Sequence, residues 1–329
     1  MDLTILIPTK DRPEQIKRII LYYKKFKFAG KIIILDSSNA SNFLKNSTIV
    51  KQVNNPKISI FKYKALPYQA IKKFQKKIKT KYVCFSGDDD FFIISGLNDA
   101  VKFLKKNPAT IGVNGTSIVA GLAGEEHNKL YGFGNYNQFH SNDSKPVNRL
   151  KKIILHYRVP LFSIFRKKNY IQMLKIIPKK TNSKFCPTRV ILDEMLESFL
   201  VVAMGKISHI SSPFLIRTVS NLKKGYNDYE YSDPGFLKSY NFLEKSVVKI
   251  LDMQSAKIFR YEFEKFKSIR LMQYKEAEQY KKKIGILHFR YNFFTNFKNC
   301  YSNLKLYFCL YQKKNFFSFF EVLKWIKHN

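Results

Sequence analysis

Three consecutive carboxylates, Asp88, Asp89 and Asp90, are the side chains of this sequence best suited to chemistry, and we call them the acid cluster. An apolar run at residues 82–86 precedes them and another at 91–94 follows, so charge stands between two segments expected to be buried. In extended backbone Asp88 and Asp90 point the same way. Carboxylate oxygens are ligands that Mg²⁺ and Mn²⁺ prefer, with water and a diphosphate completing the shell. The pattern predicts a metal site, and the alternative is a solvated acidic loop.

The elements that must position the acid cluster read as alternating strands and helices. Residues 3–8 form a continuous apolar run ended by proline, which is the pattern of a strand buried on both faces. A helix is expected next, because a proline and an acid suit its first turn and isoleucines recur at helical spacing. Further strands are predicted at 31–36, 58–63 and 82–86, with a basic helix at 69–78. In such sheets ligands bind beyond the carboxyl ends of strands, where Asp36 and the acid cluster fall.

The predicted fold class is therefore α/β, with a doubly wound, mostly parallel sheet and a helical C-terminal region. We expect one domain over residues 1–220, divided into halves 1–120 and 121–220, and a basic, aromatic region over 221–329. Within the first domain the later predicted elements are a helix at 96–106, a strand at 110–119, loops over 120–147, a strand at 159–165 and a helix at 188–204. The C-terminal region is predicted to hold helices at 236–253 and 258–283 and a tail at 284–329.

The net charge of the chain is +35, from 59 Lys and Arg against 24 Asp and Glu. Such an excess indicates a polyanionic partner: a nucleic acid, an anionic membrane surface or a phosphate-rich substrate. A compositional background competes with this interpretation, since Lys, Asn, Ile, Phe and Tyr are the residues favoured by an AT-rich genome. The net charge therefore limits the classes of partner and carries no information on the fold.

The four cysteines show neither C-x-x-C spacing nor zinc-ligand intervals to histidine, so they are expected to be free thiols: Cys84, Cys186, Cys300 and Cys309. The first residues lack the basic and apolar segments of a secretion signal, and no run reaches about 18 apolar residues. These features predict a cytoplasmic protein.

Three strand ends together resemble one known family. Pro8, Thr9 and Arg12 follow the first strand, Asp36 with two serines follows the second, and the acid cluster follows the fourth. In order and spacing over residues 1–120 this resembles the family 2 glycosyltransferases of the GT-A fold. The sequence departs from the family at residues 86–87, where relatives often carry further acids.

The resemblance implies a nucleotide-sugar and metal half at 1–120 and an acceptor half at 121–220. It implies that Asp36 contacts the base or ribose and that Asp88 and Asp90 hold Mg²⁺ or Mn²⁺ with the diphosphate. The residues that it assigns to the nucleotide sugar are Pro8, Thr9, Arg12, Asp36, Asp88 and Asp89.

The same resemblance implies a catalytic base at Asp193 or Glu194. Inverting members of the family use a carboxylate there, because an attacking hydroxyl must lose its proton as it displaces the diphosphate. The order here is Asp-Glu where Glu-Asp is more usual, so either residue can be the base. The alternative is that both acids only favour the positive end of a helix dipole.

The implied activity is transfer of a sugar, with inversion, from a nucleoside diphosphate to a glycan or lipid-linked acceptor in surface polysaccharide synthesis. One rival is a nucleotidyltransferase, which should carry a glycine-rich phosphate loop after the first strand; residues 8–12 contain no glycine. The other rival is a non-catalytic basic protein that binds nucleic acid or membrane.

The tail mixes aromatic and basic residues at 289–294, at 304–311 and at 316–320 with Trp325. This composition suits helices lying in a membrane interface beside anionic lipids, which would make the protein peripheral on the inner face of the plasma membrane. The alternative is a subdomain that packs these aromatics into its own core. Nucleic acid is disfavoured as a partner, because no recognised nucleic-acid-binding motif accompanies the aromatics.

Overall fold

The computed structural model describes residues 1–64, 67–123, 129–177, 194–220, 236–284 and 316–328. Several expectations fall outside these ranges: the candidate base Asp193 and the tail segments 289–294 and 304–311.

The chain begins with the expected β-α-β arrangement. Strand β1 (Leu3–Thr9) is followed by helix α1 (Pro13–Lys25), β2 (Lys31–Asp36), α2 (Ala40–Val53) and β3 (Ile58–Lys62). The first two strands pair in parallel from Thr4↔Lys31 to Thr9↔Asp36. Both are almost wholly buried, in agreement with their unbroken apolar runs. The predictions for this part of the chain are confirmed.

The second block carries the acid cluster. Helix α3 (Pro67–Phe74) leads through a short 3₁₀ turn, Gln75–Lys77, to β4 (Tyr82–Phe85), and the two-residue strand β5 (Phe91–Phe92) precedes α4 (Ile94–Lys106). Strand β4 pairs in parallel with β1. The acid cluster fills the connection between β4 and β5, at the same edge as the carboxyl end of β1.

The third block differs most from expectation. It contains β6 (Thr110–Ala123), β7 (Lys129–Asn135), α5 (Pro146–Leu155), β8 (Ile164–Arg166), α6 (Lys167–Ile176), α7 (Leu196–Met204) and β9 (Lys206–Ser220). The expectation of loops over 120–147 is wrong in part, because β7 lies there and pairs antiparallel with β6. The strand predicted at 110–119 is β6, whereas β7 was missed because glycine is depleted in strands and β7 contains two glycines. The strand predicted at 159–165 is only three residues long, and β9 was not predicted.

The described part of the sheet has nine strands in the order β3-β2-β1-β4-β8-β6-β9-β5, with β7 also paired to β6. The pairs within β1 to β4 are parallel, and so is the long pair of β6 and β9. Antiparallel pairs join β8 to β4 and β6, and β5 to β9. The mixed, mostly parallel α/β sheet confirms the predicted fold class.

Three C-terminal helices complete the described structure: α8 (Phe236–Val248), α9 (Met253–Ile284) and α10 (Phe316–His328). Helices α8 and α9 pack with α5 and α7 through an aromatic cluster that includes Phe199, Tyr240 and Phe263. Helix α10 lies near β9. The boundary expected at residue 220 remains a prediction.

For helix α10 the structure favours the core-packing interpretation of the tail. Phe319, Val322, Trp325 and Ile326 are all buried. Within the described ranges, no helix is both long enough and apolar enough to cross a bilayer.

Candidate active site

The acid cluster is held on one side by the loop after β1. Thr9 Oγ1 donates to Asp88 Oδ2 at 2.7 Å, while the Arg12 guanidinium donates to Asp88 Oδ1 at 2.5 Å and to Asp89 Oδ2 at 2.6 Å. Because β1 and β4 are adjacent parallel strands, residues far apart in sequence meet at this edge. The structure thus brings together four predicted site residues: Thr9, Arg12, Asp88 and Asp89.

Strand β9 holds the acid cluster on the other side. The Thr218 backbone N–H donates to Asp90 Oδ1 at 3.1 Å, and the Thr218 hydroxyl donates to the Asp89 carbonyl oxygen at 2.6 Å. Antiparallel pairing of β5 with β9 sets this contact, since Phe91 lies opposite Ile216. The cluster is therefore clamped between two sequence regions.

Gly87, just before the cluster, lies against two of its carboxylates. A Cβ atom built on this glycine would lie 2.6 Å from Asp90 Oδ2 and 3.1 Å from Asp89 Oδ1. No side chain fits there unless the carboxylates move. The absence of an acid at position 87 thus follows from the way in which the next three fold around it.

Burial strongly affects the protonation of the cluster. Burial, followed by the charge of Asp89, raises the pKa of Asp90 to about 8 and that of Asp88 to about 6. The charges of Arg12 and Arg217 act in the opposite direction on Asp88 and Asp90 respectively. A further cation at this site would therefore favour the ionised form of the carboxylates.

Arg217 is the second cation of the site. Its guanidinium donates to the Tyr136 hydroxyl at 3.0 Å and lies over the rings of Tyr136 and Phe162, at 5.1 and 5.5 Å from their centroids. Burial lowers the pKa of Arg217, but Tyr136, Asp90 and Glu194 raise it, and the net shift is upward. Arg217 thus interacts electrostatically with the acid cluster and with a candidate base.

Glu194 lies immediately before α7. Its Oε1 accepts a hydrogen bond of 3.3 Å from the Tyr157 hydroxyl. Burial, followed by the charge of Glu194, raises the pKa of Tyr157 well above its ordinary value, so this phenol remains a donor. The charges of Glu194 and Asp90 both act on the pKa of Arg217.

Asp36 is completely buried and already has partners. Its Oδ1 accepts from the Ser38 backbone N–H and its Oδ2 from the Asn46 side chain, both at 2.7 Å. These bonds tie the end of β2 to α2. Contact of Asp36 with a base or ribose stays a prediction. Pro8 lies opposite Leu35 in the β1–β2 pair, one position before Thr9.

The carboxylates suit a hard divalent cation in kind, and the geometry decides how many ligands they supply. Both oxygens of Asp88 already accept hydrogen bonds, whereas Asp90 Oδ2 lies beside Gly87. Among the described residues, no group of three or more His, Cys, Asp or Glu side chains is placed to hold a metal. The set fits Mg²⁺ or Mn²⁺ only as a partial site, completed by oxygens from water or a bound diphosphate.

Three residues of this site were not predicted: Tyr136, Arg217 and Thr218. Arg217 carried a weak signal, because it is a lone arginine in an apolar run. Nothing local links that run to the acid cluster, since the connection exists only through the pairing of β5 with β9.

No family model and no curated protein matches this chain. Solved structures do resemble it. S. aureus TarS 1–349 in complex with UDP-GlcNAc matches with a TM-score of 0.52 and 14% identity, over 78% of this chain and 69% of that one. The mannosyltransferase PcManGT from Pyrobaculum calidifontis, in complex with GDP-Man and Mn²⁺, gives a TM-score of 0.49 and 13% identity, over 99% and 84%. The likeness to TarS shows that this chain has a GT-A-like α/β fold.

Proposed function

We propose that this protein is a family 2 glycosyltransferase that moves a sugar from a nucleoside diphosphate to an acceptor hydroxyl. The observation that carries the proposal is the acid cluster at the carboxyl ends of β1 and β4, where Arg12 binds Asp88 and Asp89 and Thr218 binds Asp90. The charge of Arg217 acts on both Asp90 and the candidate base Glu194. The GT-A-like fold agrees with this activity.

For the donor, we assign the nucleotide sugar to Pro8, Thr9, Arg12, Asp36, Asp88 and Asp89. A diphosphate would be repelled by the acid cluster alone, so cations must lie between the two groups of negative charge. Arg12 already neutralises part of the cluster. Mg²⁺ or Mn²⁺ held by Asp88 and Asp90 would supply Lewis-acid stabilisation of the departing diphosphate.

For the acceptor, we assign the proton transfer to Asp193 or Glu194. The acceptor oxygen forms a bond to the anomeric carbon while the bond from that carbon to the diphosphate oxygen breaks, and the hydroxyl proton passes to the carboxylate. A single displacement of this kind inverts the anomeric centre. The Tyr157 hydroxyl bonded to Glu194 would hold that carboxylate in position.

The proposed acceptor is a glycan or a lipid-linked saccharide in surface polysaccharide synthesis, in the cytoplasm. The net charge of +35 supports an anionic membrane surface as a further partner. With α10 packed into the core, the described part of the tail gives that partner less support than the sequence did.

The test is a screen of UDP-, GDP-, CMP- and dTDP-sugars for hydrolysis and thermal stabilisation, each with Mg²⁺, with Mn²⁺ and with EDTA. We expect one donor class to be hydrolysed with divalent metal and to raise the melting temperature. Release of inorganic pyrophosphate from a nucleoside triphosphate and a sugar phosphate would instead identify a nucleotidyltransferase. Binding of none of the four donors, with or without metal, would overturn the proposal.

A further inference from the structure

The acid cluster continues directly into Phe91, whose side chain is enclosed by distant parts of the chain. The ring centroid of Phe91 lies 5.1 Å from that of Tyr22 and 5.8 Å from that of Trp325, both with edge-to-face geometry. The Arg18 guanidinium carbon lies 5.6 Å from the same centroid. Two elements, α1 and α10, thus fix the residue next to Asp90.

Helix α10 is fastened to α1 by both apolar and polar contacts. Trp325 is 5% exposed and its ring lies 5.3 Å from that of Tyr22. The Arg18 side chain donates to the Ile326 carbonyl oxygen, which belongs to the last turn of α10. Arg18 also interacts with the charge of Asp89. One arginine therefore links the end of α10 to the acid cluster.

Strand β5 is too short to hold the cluster by backbone pairing alone. It pairs with β9 over two residues, Phe91 and Phe92. On the side of α1, the Tyr22 hydroxyl donates to the Phe92 carbonyl oxygen at 2.7 Å. Aromatic pairs contribute beyond the area they bury, so the rings around Phe91 supply the stiffness that a two-residue strand lacks.

We propose that α10 is a positioning element of the donor site, with Trp325 holding Phe91 and, through it, Asp89 and Asp90. The part of this inference that concerns the donor rests on the proposed function. The ring contacts through which Trp325 would act are those with Phe91 and Tyr22. The competing interpretation is that Trp325 only adds buried area and that its loss weakens the fold without altering the site.

Hydrogen exchange in the full chain tests the positioning without any donor. The Ile93 amide, which donates to the Phe214 carbonyl oxygen at 2.8 Å, reports on the segment after the cluster. We expect Trp325→Leu to speed its exchange by about tenfold, the size of one or two lost aromatic pairs. Trp325→Phe should restore most of the protection.

The matched control is Phe263→Leu, which removes a buried ring from the aromatic cluster with Phe199 and Tyr240. It should lower the melting temperature and leave exchange at Ile93 unchanged. Equal exchange at Ile93 in Trp325→Leu and Phe263→Leu would overturn the proposal.

Donor affinity is the second measurement, with UDP and GDP titrated separately in the presence of Mn²⁺. We expect Trp325→Leu to weaken binding by about tenfold at full folding, while Trp325→Phe and Phe263→Leu bind as wild type. If the wild type binds neither nucleotide, the proposed function is in question and the exchange result still decides the positioning. Wild-type affinity in Trp325→Leu would refute the role in donor binding.

If Trp325→Leu does not fold, Arg18→Met replaces it. This variant keeps an apolar stem and removes the hydrogen bond to Ile326. Because Trp325 is the only tryptophan of the chain, its emission reports directly on the seating of α10. We expect a red shift together with faster exchange at Ile93. A red shift with unchanged exchange would show that α10 leaves without disturbing β5, which contradicts the proposal.

Discussion

The acid cluster and Glu197 are two buried groups of carboxylic acids with opposite surroundings. Glu197 lies in α7, is completely buried and, within the described ranges, has no hydrogen-bond partner on either carboxyl oxygen. Burial raises its pKa well above the ordinary value. Asp88 and Asp90 are almost as deeply buried, but hydroxyl, amide and guanidinium groups meet their oxygens.

The difference lies in the partners of these carboxyl groups more than in their burial. Taking a carboxylate out of water is costly unless a charge or hydrogen bonds offset the loss. Glu197 meets no such partner among the described residues, and burial raises its pKa. In the acid cluster the charges of Arg12 and Arg217 act against burial and favour the ionised forms of Asp88 and Asp90.

Replacing Asp90 should have the largest effect. We expect Asp90→Asn to lose about a hundredfold or more in turnover while the fold survives, because one charged oxygen fewer remains for the metal and the diphosphate. Turnover and melting temperature measured on the same preparation check this. Glu264→Gln, at an exposed acid, is the control and should behave as wild type. Wild-type activity in Asp90→Asn, or activity that EDTA leaves unchanged, would remove the metal assignment.

Substitution of the catalytic base should reduce turnover, as substitution in the acid cluster should and substitution of Glu197 should not. Replacing Asp193 by Asn and Glu194 by Gln should identify the residue that takes the proton by a loss of about a hundredfold or more in turnover. Donor affinity should be nearly unchanged in that variant. A helix-dipole role predicts instead a stability loss of about 0.3 to 1 kcal/mol with normal turnover. Melting temperature, donor affinity and turnover together separate the two roles.

Arg217 tests whether cations make the acid cluster functional. We expect Arg217→Gln to reduce turnover by about ten- to a hundredfold and to weaken donor binding, because the buried cation that acts on Asp90 is lost. The control Arg260→Gln removes an exposed arginine that pairs with Glu244. If Arg217→Gln binds donor and turns over normally, the link between Asp90 and Glu194 has no role in the reaction.

Asp36 is intermediate between the acid cluster and Glu197, since it is buried and accepts from two neutral groups. We expect Asp36→Ala to lower the free energy of unfolding by about 2 to 3 kcal/mol, because the Ser38 N–H and the Asn46 amide lose their buried acceptor. Asp36→Asn should cost less, since Asn46 can turn its unpaired Oδ1 toward the new amide. Urea titration measures both. A full loss of donor binding in Asp36→Asn with normal stability would instead support the predicted base or ribose contact.

Glu197 should show the smallest effect, and one of opposite sign. Its pKa in the folded chain is raised above the unfolded value near 4.5, so the native state loses stability as pH rises from that value toward the folded pKa. Glu197→Gln removes this loss. We expect the variant to gain about 1 to 2 kcal/mol at pH 8 and almost nothing at pH 4. Thermal melts at both pH values check this, and equal shifts at pH 4 and pH 8 would show that Glu197 is ionised when folded.

Local sequence patterns carried enough information for the donor side of the fold. The unbroken apolar runs of β1, β2 and β4 and the acids at their ends follow from burial on both faces of a parallel sheet. Arg12 and Asp88 could be expected to meet because adjacent parallel strands end at one edge.

The other side of the site depends on pairings that no local pattern encodes. Thr218 meets Asp90 across 128 positions of sequence, through a strand that was not predicted. Strand β7 was taken for loop because its glycines weaken the strand signal, although Tyr136 follows it directly. Packing against β6 overrides that preference, and only the assembled sheet reveals it.

The packing of α10 against α1 also joins residues that are translated at very different times. Arg18 and its partner Ile326 are 308 positions apart. A ribosome adds about 5 to 20 residues per second, so about 15 to 60 seconds pass between their translation. Until Trp325 has been made, it cannot cover the aromatic face formed by Tyr22 and Phe91. A nascent chain therefore contains the acid cluster before it contains the helix that packs behind it. The uncovered aromatic face is where a chaperone would find the growing polypeptide exposed.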